Sequence, residues 1–409
     1  MSRAELLRHG PLRALLAAEI VSTTGSQMTW LALPWFVLIT TGSPARMTLV
    51  MAAELLGIGA FGLPSGALLQ RFGARRTMLA ADGLRAPLML LVPVLHWEGA
   101  LSFPALLLIA LALGVFGAPY FAAQRIIVPE LLGEDERVIG QANALFQGAI
   151  RMTMLLGPPL GGVLIGWLGA TSVLVVDAAT YVCSFLLVGL FVPRRAAAAP
   201  TEETRGVLTG LRFLAREPLL RTWGTILIVG DIAWQAFFAA VPVLVVTHFG
   251  ADARIAGVFY AAFGVGAVIG NVIVFRFLLD RIDGMRLIAL AAPFQAAPLW
   301  ILPLHLPPFA LAGALFASGL ANGFANPSLH SILTLRMPPA IRAKAMTAFM
   351  TVFAMAMPLG LLGAGPILSA FGARPLLVTI AAVQSVTMAL LSLSALRARA
   401  SPEVAEAVA

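Results

Sequence analysis

The chain has 409 residues, of which 60% are hydrophobic and only 11% are charged, and its mean hydropathy is +0.93. A soluble domain is usually about 45–50% apolar and about 25% charged, so this composition excludes a water-soluble globular protein. The net charge of +8 does not indicate nucleic-acid binding, because the arginines are spread over many short segments without interleaved aromatic residues. Membrane lipid is therefore the expected solvent for most of the chain.

Twelve apolar stretches are long enough to cross a hydrocarbon core of about 30 Å, which takes about 20 helical residues. A spanning backbone must satisfy its own hydrogen bonds, and these stretches lack the alternation of barrel strands, so we predict helices. Spans 1 to 12 cover residues 12–40, 48–69, 77–96, 102–124, 141–168, 171–192, 221–248, 254–277, 286–306, 309–335, 343–370 and 374–396. The predicted fold class is an all-α polytopic membrane protein.

The distribution of Lys and Arg predicts the orientation of the spans, since basic residues accumulate in cytoplasmic loops. Of the 27 Lys and Arg residues, 22 lie in segments on the same side as the N-terminus and three lie in the opposite loops, while Arg85 and Arg151 fall within spans. This bias predicts a multi-pass protein of the cytoplasmic membrane with both termini in the cytoplasm. Membrane lipid is the expected partner of the cytoplasmic arginines.

The longest polar interval, residues 193–220, divides the chain into an N-terminal six-helix bundle at 1–192 and a C-terminal bundle at 221–409. The halves resemble each other in sequence. Pro119 corresponds to Pro327, Gly161 to Gly360 or Gly363, and Gly169 to Gly372. Two six-helix repeats joined by a cytoplasmic linker are typical of secondary transporters, in which two bundles rock about a central site.

A series of short motifs follows the chain in a recognisable order. They are SxxG at Ser22 to Gly25, ALP at Ala32 to Pro34, TGSP at Thr41 to Pro44, GALLQRFGARR at 66–76, VPELL at Val128 to Leu132, ANAL at Ala142 to Leu145, GPPLGG at Gly157 to Gly162 and ANP at Ala325 to Pro327. In this order the chain resembles the major facilitator superfamily, and within it enterobactin-exporter-like and macrolide-efflux-like proteins. The resemblance implies alternating access by two pseudo-symmetric bundles, with export favoured over import.

The turn after span 2 is similar to a motif that is thought to latch the two bundles of this superfamily on the cytoplasmic face. Gln70 stands where the motif has Asp, and the second half restores an acidic and basic pair in RFLLDRIDG. The resemblance implies a cytoplasmic gate formed by Gly66, Gln70, Arg71, Gly73, Arg75, Arg76, Asp280 and Arg281. The alternative is that these arginines only set the topology.

A glycine and proline motif on span 5 resembles the end of the antiporter motif that is associated with exporters. Thr153 stands where the upstream part of that motif has glycine, so the match is partial. Its residues are Gly157, Pro158, Gly161 and Gly162. Glycines allow close helix approach and prolines bend the helix, so packing alone is the alternative explanation.

Ionisable residues within the bilayer are costly and are functional candidates by default. Asp231 lies ten residues into span 7, about 15 Å from its inner end and so near the midplane. A carboxyl group there can couple proton binding to a conformational change, which makes it the first candidate. The other proton-coupling candidates are Glu19, Glu54 and Arg151.

Three further ionisable residues are expected to be structural. The resemblance implies that spans 3, 6, 9 and 12 are peripheral, and these residues lie on spans 3 and 6. Asp82 and Arg85 are expected near the inner face, as an ion pair or with a snorkelling arginine, and Asp177 is expected near the outer face.

Polar and aromatic side chains on spans 1, 7 and 10 recur at helical spacing and are candidates for lining a substrate cavity. They are Ser26, Trp30, Trp234, Gln235, Phe238, Asn322, Asn326 and His330. Apolar walls with a few directed polar groups suit an amphipathic or cationic organic substrate. Hydrogen bonding between helices is the alternative explanation for the polar members.

Several absences limit the chemistry. There is no HExxH, no GxSxG and no phosphate-binding glycine loop, and the five histidines are scattered, so we expect neither an enzyme nor a cofactor or metal site. Span 4 lacks the arginine that many proton-coupled drug exporters carry there.

We therefore predict a transporter for a small organic compound, drug-like or siderophore-like, which is exchanged for protons. A monomer suffices for this function. A metabolite carrier or a transporter without proton coupling remains the alternative, and a receptor-like protein is a different class.

Overall fold

The computed structural model describes residues 9–133, 135–194, 207–278, 281–338 and 341–400. Helices account for nearly all of them. In the first half they are α1 (Gly10–Thr41), α2 (Pro44–Phe72), α3 (Ala74–Trp97), α4 (Phe103–Leu132), α5 (Glu136–Leu168) and α6 (Ala170–Phe191). In the second half they are α7 (Val207–Arg216), α8 (Pro218–His248), α9 (Ala253–Ile273), α10 (Gly284–Ala296), α11 (Pro308–Leu335), α12 (Arg342–Phe371) and α13 (Ala373–Ala400). A π-helical turn (Val274–Leu278) extends α9, and a 3₁₀ turn (Ala297–Ile301) extends α10.

Within these ranges, eleven helices are long and apolar enough to cross a membrane. They match predicted spans 2 to 12. The first predicted span also forms a helix, α1, which has 32 residues but is not among the eleven. Glu19 and the polar run from Ser22 to Gln27 lower its hydropathy. Since α1 is long enough to cross a bilayer, its polar residues need partners inside the protein.

The described helices fall into two compact units, α1 to α6 and α7 to α13, with residues 252–257 grouped with the first unit. In the first unit, a core cluster combines side chains of all six helices, including Leu15, Met78 and Val188. In the second, the corresponding cluster draws on α8, α10, α11, α12 and α13 and includes Trp223 and Ile288. Each unit therefore has an apolar core of its own.

Two one-residue turns occupy corresponding places in the two units. Gly169 joins α5 to α6, and Gly372 joins α12 to α13, with φ values of 80° and 77°. Side chains other than glycine rarely adopt this region, which explains why both positions are glycine. The same local solution at both places supports the predicted correspondence between Gly169 and Gly372.

Small residues set the closest helix crossings in both units. In the first unit α2 crosses α4, where a Cβ atom added at Gly114 would overlap the carbonyl oxygen of Glu54. In the second unit α9 crosses α11, where a Cβ added at Gly319 would overlap the carbonyl oxygen of Phe263. Only glycine permits such backbone contact, which is a common basis of helix association in membranes.

Glycines on α5 and α12 also allow close packing against the first spanning helix of each half, and they test the correspondence predicted for Gly161. A Cβ atom at Gly161 of α5 would lie 3.0 Å from the carbonyl oxygen of Met28 on α1. On α12, a Cβ at Gly360 would overlap the carbonyl oxygen of Ile232 on α8, whereas Gly363 has no described atom that close. Gly360 thus packs on α8 as Gly157 packs against Gln27 on α1, and both glycines stand the same distance before the turns at Gly372 and Gly169. Gly360 is therefore the structural counterpart of Gly157.

The amphipathic helix α7 and the residue that follows it are fixed to the second unit. Phe213 and Leu214 pack against the core of that unit. Glu217 accepts a hydrogen bond from the backbone N–H of Leu220 at the start of α8, and its other oxygen lies 3.7 Å from Arg336 at the end of α11. A carboxylate at a helix N-terminus is favourable, so Glu217 both caps α8 and joins it to α11.

The crossing of α9 and α11 provides a test of the packing with a matched control on one helix. We expect Gly319→Ala to lower the free energy of unfolding by about 1–3 kcal/mol, as overpacking does. Gly313 has open space around its Cβ position, so Gly313→Ala should leave stability within about 0.5 kcal/mol or raise it slightly. Thermal unfolding of the purified protein in detergent measures both. Equal midpoints for the two variants would contradict the packing described here.

Candidate functional site

A polar stripe on α1 faces the interior of the first unit. Glu19 is only 2% exposed. One of its oxygens accepts a 2.7 Å hydrogen bond from the hydroxyl of Thr23, and the other accepts a 3.3 Å bond from the hydroxyl of Tyr120 on α4. Glu19 thus has hydrogen-bond donors from two helices, and α1 finds inside the protein the partners that its polar residues require.

Arg85 on α3 lies at the centre of the same interior. It is 6% exposed, and its Nη2 donates hydrogen bonds to the hydroxyls of Tyr181 at 2.7 Å and Ser26 at 3.4 Å. The guanidinium also lies over the ring of Tyr181, 4.1 Å from the centroid, and 5.8 Å from that of Tyr120. Cation–π contacts of this kind are stronger when water is excluded.

Two aspartates flank this arginine and are buried more completely. Asp82 is 1% exposed, and its Oδ1 lies 3.9 Å from Nη1 of Arg85 one turn away on α3. Asp177 on α6 is fully buried and accepts a 3.1 Å hydrogen bond at Oδ1 from Thr180. Among the described residues, no hydrogen bond reaches either oxygen of Asp82 or Oδ2 of Asp177.

We call these four residues, Glu19, Asp82, Arg85 and Asp177, the charge cluster. Glu54 on α2 is partly exposed and lies within electrostatic range of Arg85 and Asp177. The cluster brings together side chains from three helices in an apolar interior. Charged groups there are unfavourable unless they are paired.

The charge cluster bears on the sequence expectations for Asp82, Arg85 and Asp177. Of the two arrangements expected for Arg85, the ion pair with Asp82 is present at 3.9 Å. Snorkelling was wrong, because the guanidinium is buried and bonded to Tyr181. The expected levels, Asp82 nearer the inner face and Asp177 nearer the outer face, stay a prediction. Arg85 links the two aspartates, because it lies one turn from Asp82 and contacts Tyr181, one turn from Asp177. The sequence gives depth along each helix but not the direction in which the helix is tilted or faces.

Close approach of α1 and α6 makes the cluster possible. A Cβ atom at Gly25 of α1 would overlap the side chains of Asp177 and Thr180 on α6. The absence of a side chain at Gly25 therefore leaves the space that the Asp177 carboxyl fills. SxxG, Ser22 to Gly25, was the sequence signal for this approach.

The second unit has a similar arrangement without charge. Gly230 on α8 faces Gln384 and Thr387 on α13, as Gly25 faces Asp177 and Thr180. Gln384 is 2% exposed, and its amide donates a 2.7 Å hydrogen bond to the carbonyl oxygen of Gly230. The first spanning helix of each half thus meets two polar residues, three positions apart, on the last helix of that half. In the first half one of the two, Asp177, is ionisable, whereas in the second half both are neutral.

Five aromatic side chains of α8 and α9 form a second group, which we call the aromatic cluster: Trp234, Phe237, Phe238, Tyr260 and Phe263. The ring of Trp234 stacks on Phe237 with centroids 4.9 Å apart and lies 4.5 Å from Phe263. The Phe238 and Tyr260 centroids are 5.5 Å apart, and the Tyr260 hydroxyl donates a 2.9 Å hydrogen bond to the Phe238 carbonyl oxygen. All but Phe237 are partly exposed.

Asp231 lies one turn before this aromatic cluster on α8 and is partly exposed. Gln235, one turn further along, is 5% exposed, and its Oε1 has no hydrogen-bond partner in the described part of the chain. Three sequence candidates, Asp231, Trp234 and Gln235, therefore lie together with Phe238 on successive turns of one helix. A carboxyl group beside aromatic rings suits a cationic group on an organic ligand.

The remaining sequence candidates belong to neither the charge cluster nor the aromatic cluster. Ser26 is engaged by Tyr181 at 3.0 Å and by Arg85. Asn322 donates a 3.4 Å hydrogen bond to Gln295. The others were Trp30 and Asn326, which are partly exposed, and Arg151 and His330, which are exposed. For Ser26 and Asn322 the structure thus gives bonds between helices.

The predicted gate residues have different surroundings. Arg75 donates 2.6 Å hydrogen bonds to the carbonyl oxygens of Val192 and Gly189 at the end of α6, which is a favourable place for a cation. The guanidinium of Arg71 lies 5.3 Å from the ring centroid of Phe72. Gly66 is partly exposed, Gly73 has a φ of 74° between α2 and α3, and Gln70, Arg76 and Arg281 are exposed, while Asp280 lies outside the described residues.

The span 5 motif contributes to packing within the first unit. A Cβ atom at Gly157 would overlap the side chain of Gln27 on α1, and Gly161 lies against Met28. Pro158 and Gly162 are buried. Close packing of α5 on α1 is therefore the observed role of Gly157 and Gly161.

Loss of the buried arginine should be costly, and an exposed arginine in the same unit provides the control. We expect Arg85→Leu to lower the free energy of unfolding by about 3–5 kcal/mol, because it leaves buried carboxyl groups without their cation. Arg151→Leu should change it by no more than about 0.5 kcal/mol. Adding Asp82→Asn should recover part of the Arg85→Leu loss, which thermal unfolding in detergent would measure. Equal effects at the two arginines would show that the cluster carries no such cost.

Comparison with known proteins agrees with this architecture. The sequence model of the Major Facilitator Superfamily matches residues 15–361. The chain is 27% identical over 381 residues to the multidrug efflux pump Tap of Mycolicibacterium fortuitum, covering 89% of this chain and 91% of the relative. Identity to Tap of Mycobacterium tuberculosis is 24% over 377 residues, covering 89% and 88%. An uncharacterized MFS-type transporter, y4rN of Sinorhizobium fredii, is 24% identical, with 94% of both chains covered.

Solved structures show the same fold. The nucleoside transporter NupG has a TM-score of 0.73 at 13% identity, covering 94% of this chain and 98% of its own. A bacterial homologue of the human lysosomal transporter Spinster has a TM-score of 0.72 at 15% identity, covering 98% and 99%. The match of the family model over most of the chain establishes that this protein is a membrane transporter of the major facilitator superfamily, and not an enzyme.

Proposed function

We propose that the protein is a secondary active exporter that carries small amphipathic organic compounds, in particular cationic ones, out of the cell in exchange for protons. The observation that carries the proposal is the aromatic cluster with Asp231 one turn away. Two relatives at 24–27% identity are named multidrug efflux pumps, which supports drug-like compounds as substrates. The predicted orientation places the chain in the cytoplasmic membrane with both termini inside.

The aromatic cluster suits a ligand of this class for physical reasons. Flat aromatic faces bind many different apolar rings, because stacking does not require a fixed pattern of hydrogen bonds. The carboxyl group of Asp231 adds attraction for a positive charge, and the amide of Gln235 adds a directed polar contact. A pocket with apolar walls and few polar groups tolerates varied ligands, as drug export requires.

The energy source that fits the chain is an ion gradient. The sequence has no phosphate-binding loop for ATP. Carboxyl groups within the membrane are the usual places where a transporter binds and releases protons, and this chain has them in both units. In the alternating-access cycle we propose, proton entry from outside drives the return of the carrier after release of the substrate.

Transport into inverted membrane vesicles tests the proposed function. We expect vesicles containing the protein to accumulate ethidium when a proton gradient is imposed, and Trp234→Ala to lower the initial rate by about 5-fold or more, since base or ring stacking on one aromatic side chain is worth about 1–3 kcal/mol. Trp300→Ala serves as the control because Trp300 lies on the 3₁₀ turn after α10 and bonds Ser385.

The outcomes separate the alternatives clearly. Ethidium accumulation that Trp234→Ala loses and Trp300→Ala keeps supports drug export through the aromatic cluster. A protein that moves neither ethidium nor other amphipathic cations, but moves a polar metabolite, would be a dedicated metabolite carrier instead.

A further inference from the structure

We propose that the coupling proton binds in the charge cluster of the first unit, at Asp82 and Asp177 around Arg85, and not at Asp231. This inference rests on the proposed proton-driven export and assigns the site at which the proton acts. From the sequence, Asp82, Arg85 and Asp177 were expected to have structural roles. Burial, missing hydrogen bonds and comparison with the second unit carry the inference.

The first argument is the balance of charge. Three carboxyl groups, Glu19, Asp82 and Asp177, are each no more than 2% exposed, and Arg85 is the one buried cation that the described structure places among them. One guanidinium can compensate one carboxylate. Uncompensated charge in an apolar interior is unfavourable, so the other carboxyl groups can remain buried by holding protons. A proton that leaves or arrives then changes which carboxylate Arg85 compensates.

The second argument is the set of polar atoms that lack partners. In the described ranges, both oxygens of Asp82, Oδ2 of Asp177 and Nε of Arg85 lack a hydrogen bond of normal geometry. The hydroxyls of Ser184, close to Asp82, and Thr29, close to Asp177, also lack one, so these donors and acceptors lie near each other without a well-formed bond. Buried polar atoms in native proteins are nearly always bonded, so each exception needs an explanation. An ionised carboxylate only accepts, whereas a protonated one also donates. A proton that moves between the carboxyl groups explains why a single arrangement leaves some polar atoms of the site without hydrogen bonds.

The third argument is the position of Arg85 itself. Its Nη2 bonds the hydroxyls of Tyr181 on α6 and Ser26 on α1, while Asp82 lies 3.9 Å from Nη1, beyond hydrogen-bond distance. A guanidinium has five N–H donors, so a small rotation can exchange hydroxyl partners for a carboxylate. Because the partners lie on α1, α3 and α6, such an exchange would change the contacts among three helices.

The fourth argument is the neutral counterpart in the second unit. There Gly230, Gln384 and Thr387 occupy places like those of Gly25, Asp177 and Thr180. A buried amide that bonds a backbone carbonyl fills the space without charge. Helix packing of this kind therefore does not require ionisable side chains. The carboxyl groups and Arg85 of the first unit need another role, and reversible protonation supplies one.

The ionisable groups around the cluster come from four helices. The ionisable groups that face Asp82, Arg85 and Asp177 are Glu19 from α1, Glu54 from α2, Tyr120 from α4 and Tyr181 from α6. All but Glu54 are buried. Glu54 is partly exposed and lies within electrostatic range of Arg85, so in our proposal it is the group past which protons reach the cluster.

Infrared difference spectroscopy tests the proton site without any substrate. Wild-type protein reconstituted in liposomes should show a carbonyl stretching band of protonated carboxylic acid that disappears as the pH is raised. Asp82→Asn and Asp177→Asn should each reduce the band, and the double variant should remove most of it. Asp231→Asn, the matched change in the second unit, should leave it in place. Asparagine has nearly the shape of aspartate, and a thermal unfolding scan identifies any variant that fails to fold.

A transport measurement then separates coupling to the proton gradient from the movement of ethidium itself. Asp177→Asn should lower gradient-driven ethidium accumulation by about 5-fold or more, in line with usual coupling energies, while ethidium exchange without a gradient stays within about twofold. A band that persists in the double variant, or one that Asp231→Asn removes, would overturn the assignment. If wild type moves no ethidium, the proposed function fails, yet the infrared result still decides where the proton binds.

Discussion

A charge inside an apolar protein interior must be compensated, and in the first half of this transporter one arginine does so. Arg85 reaches hydroxyl groups on α1 and α6 and lies over the ring of Tyr181. Its position requires α1 and α6 to approach closely, which Gly25 permits. The burial of Glu19, Asp82 and Asp177 follows from the same arrangement, because carboxyl groups are tolerated there only beside a cation, a hydrogen-bond donor or a proton.

The two halves share a packing scheme and differ in chemistry. Glycines permit backbone contact between α2 and α4 in one half and between α9 and α11 in the other. Among the described residues, the buried ionisable side chains lie in the first half, whereas the buried polar residues of the second half are neutral, as at Gln384. The second half instead has a partly exposed aromatic cluster. In our account the first half responds to protons and the second binds the organic substrate.

Much of the fold could be predicted from the sequence. Long apolar stretches predicted the spanning helices, and ordered motifs predicted the superfamily. The composition of a helix does not reveal which neighbour each side faces, so the meeting of Asp82 and Arg85 with Asp177 could not be predicted from their positions. The general rule that spans 3 and 6 are peripheral directed attention to Asp231 instead. Likewise, only the contact with Ile232 shows that Gly360, and not Gly363, is the α12 glycine that packs against α8.

The measurement that tests the account most directly is proton movement caused by substrate. Purified protein is reconstituted in liposomes that contain a pH-sensitive dye, with the membrane potential clamped by potassium and valinomycin, and ethidium is added outside. We predict that ethidium entry makes the lumen alkaline, and that the Asp82→Asn, Asp177→Asn double variant abolishes this change. Ethidium entry without any change in luminal pH in the wild type would contradict proton exchange and the role of the charge cluster.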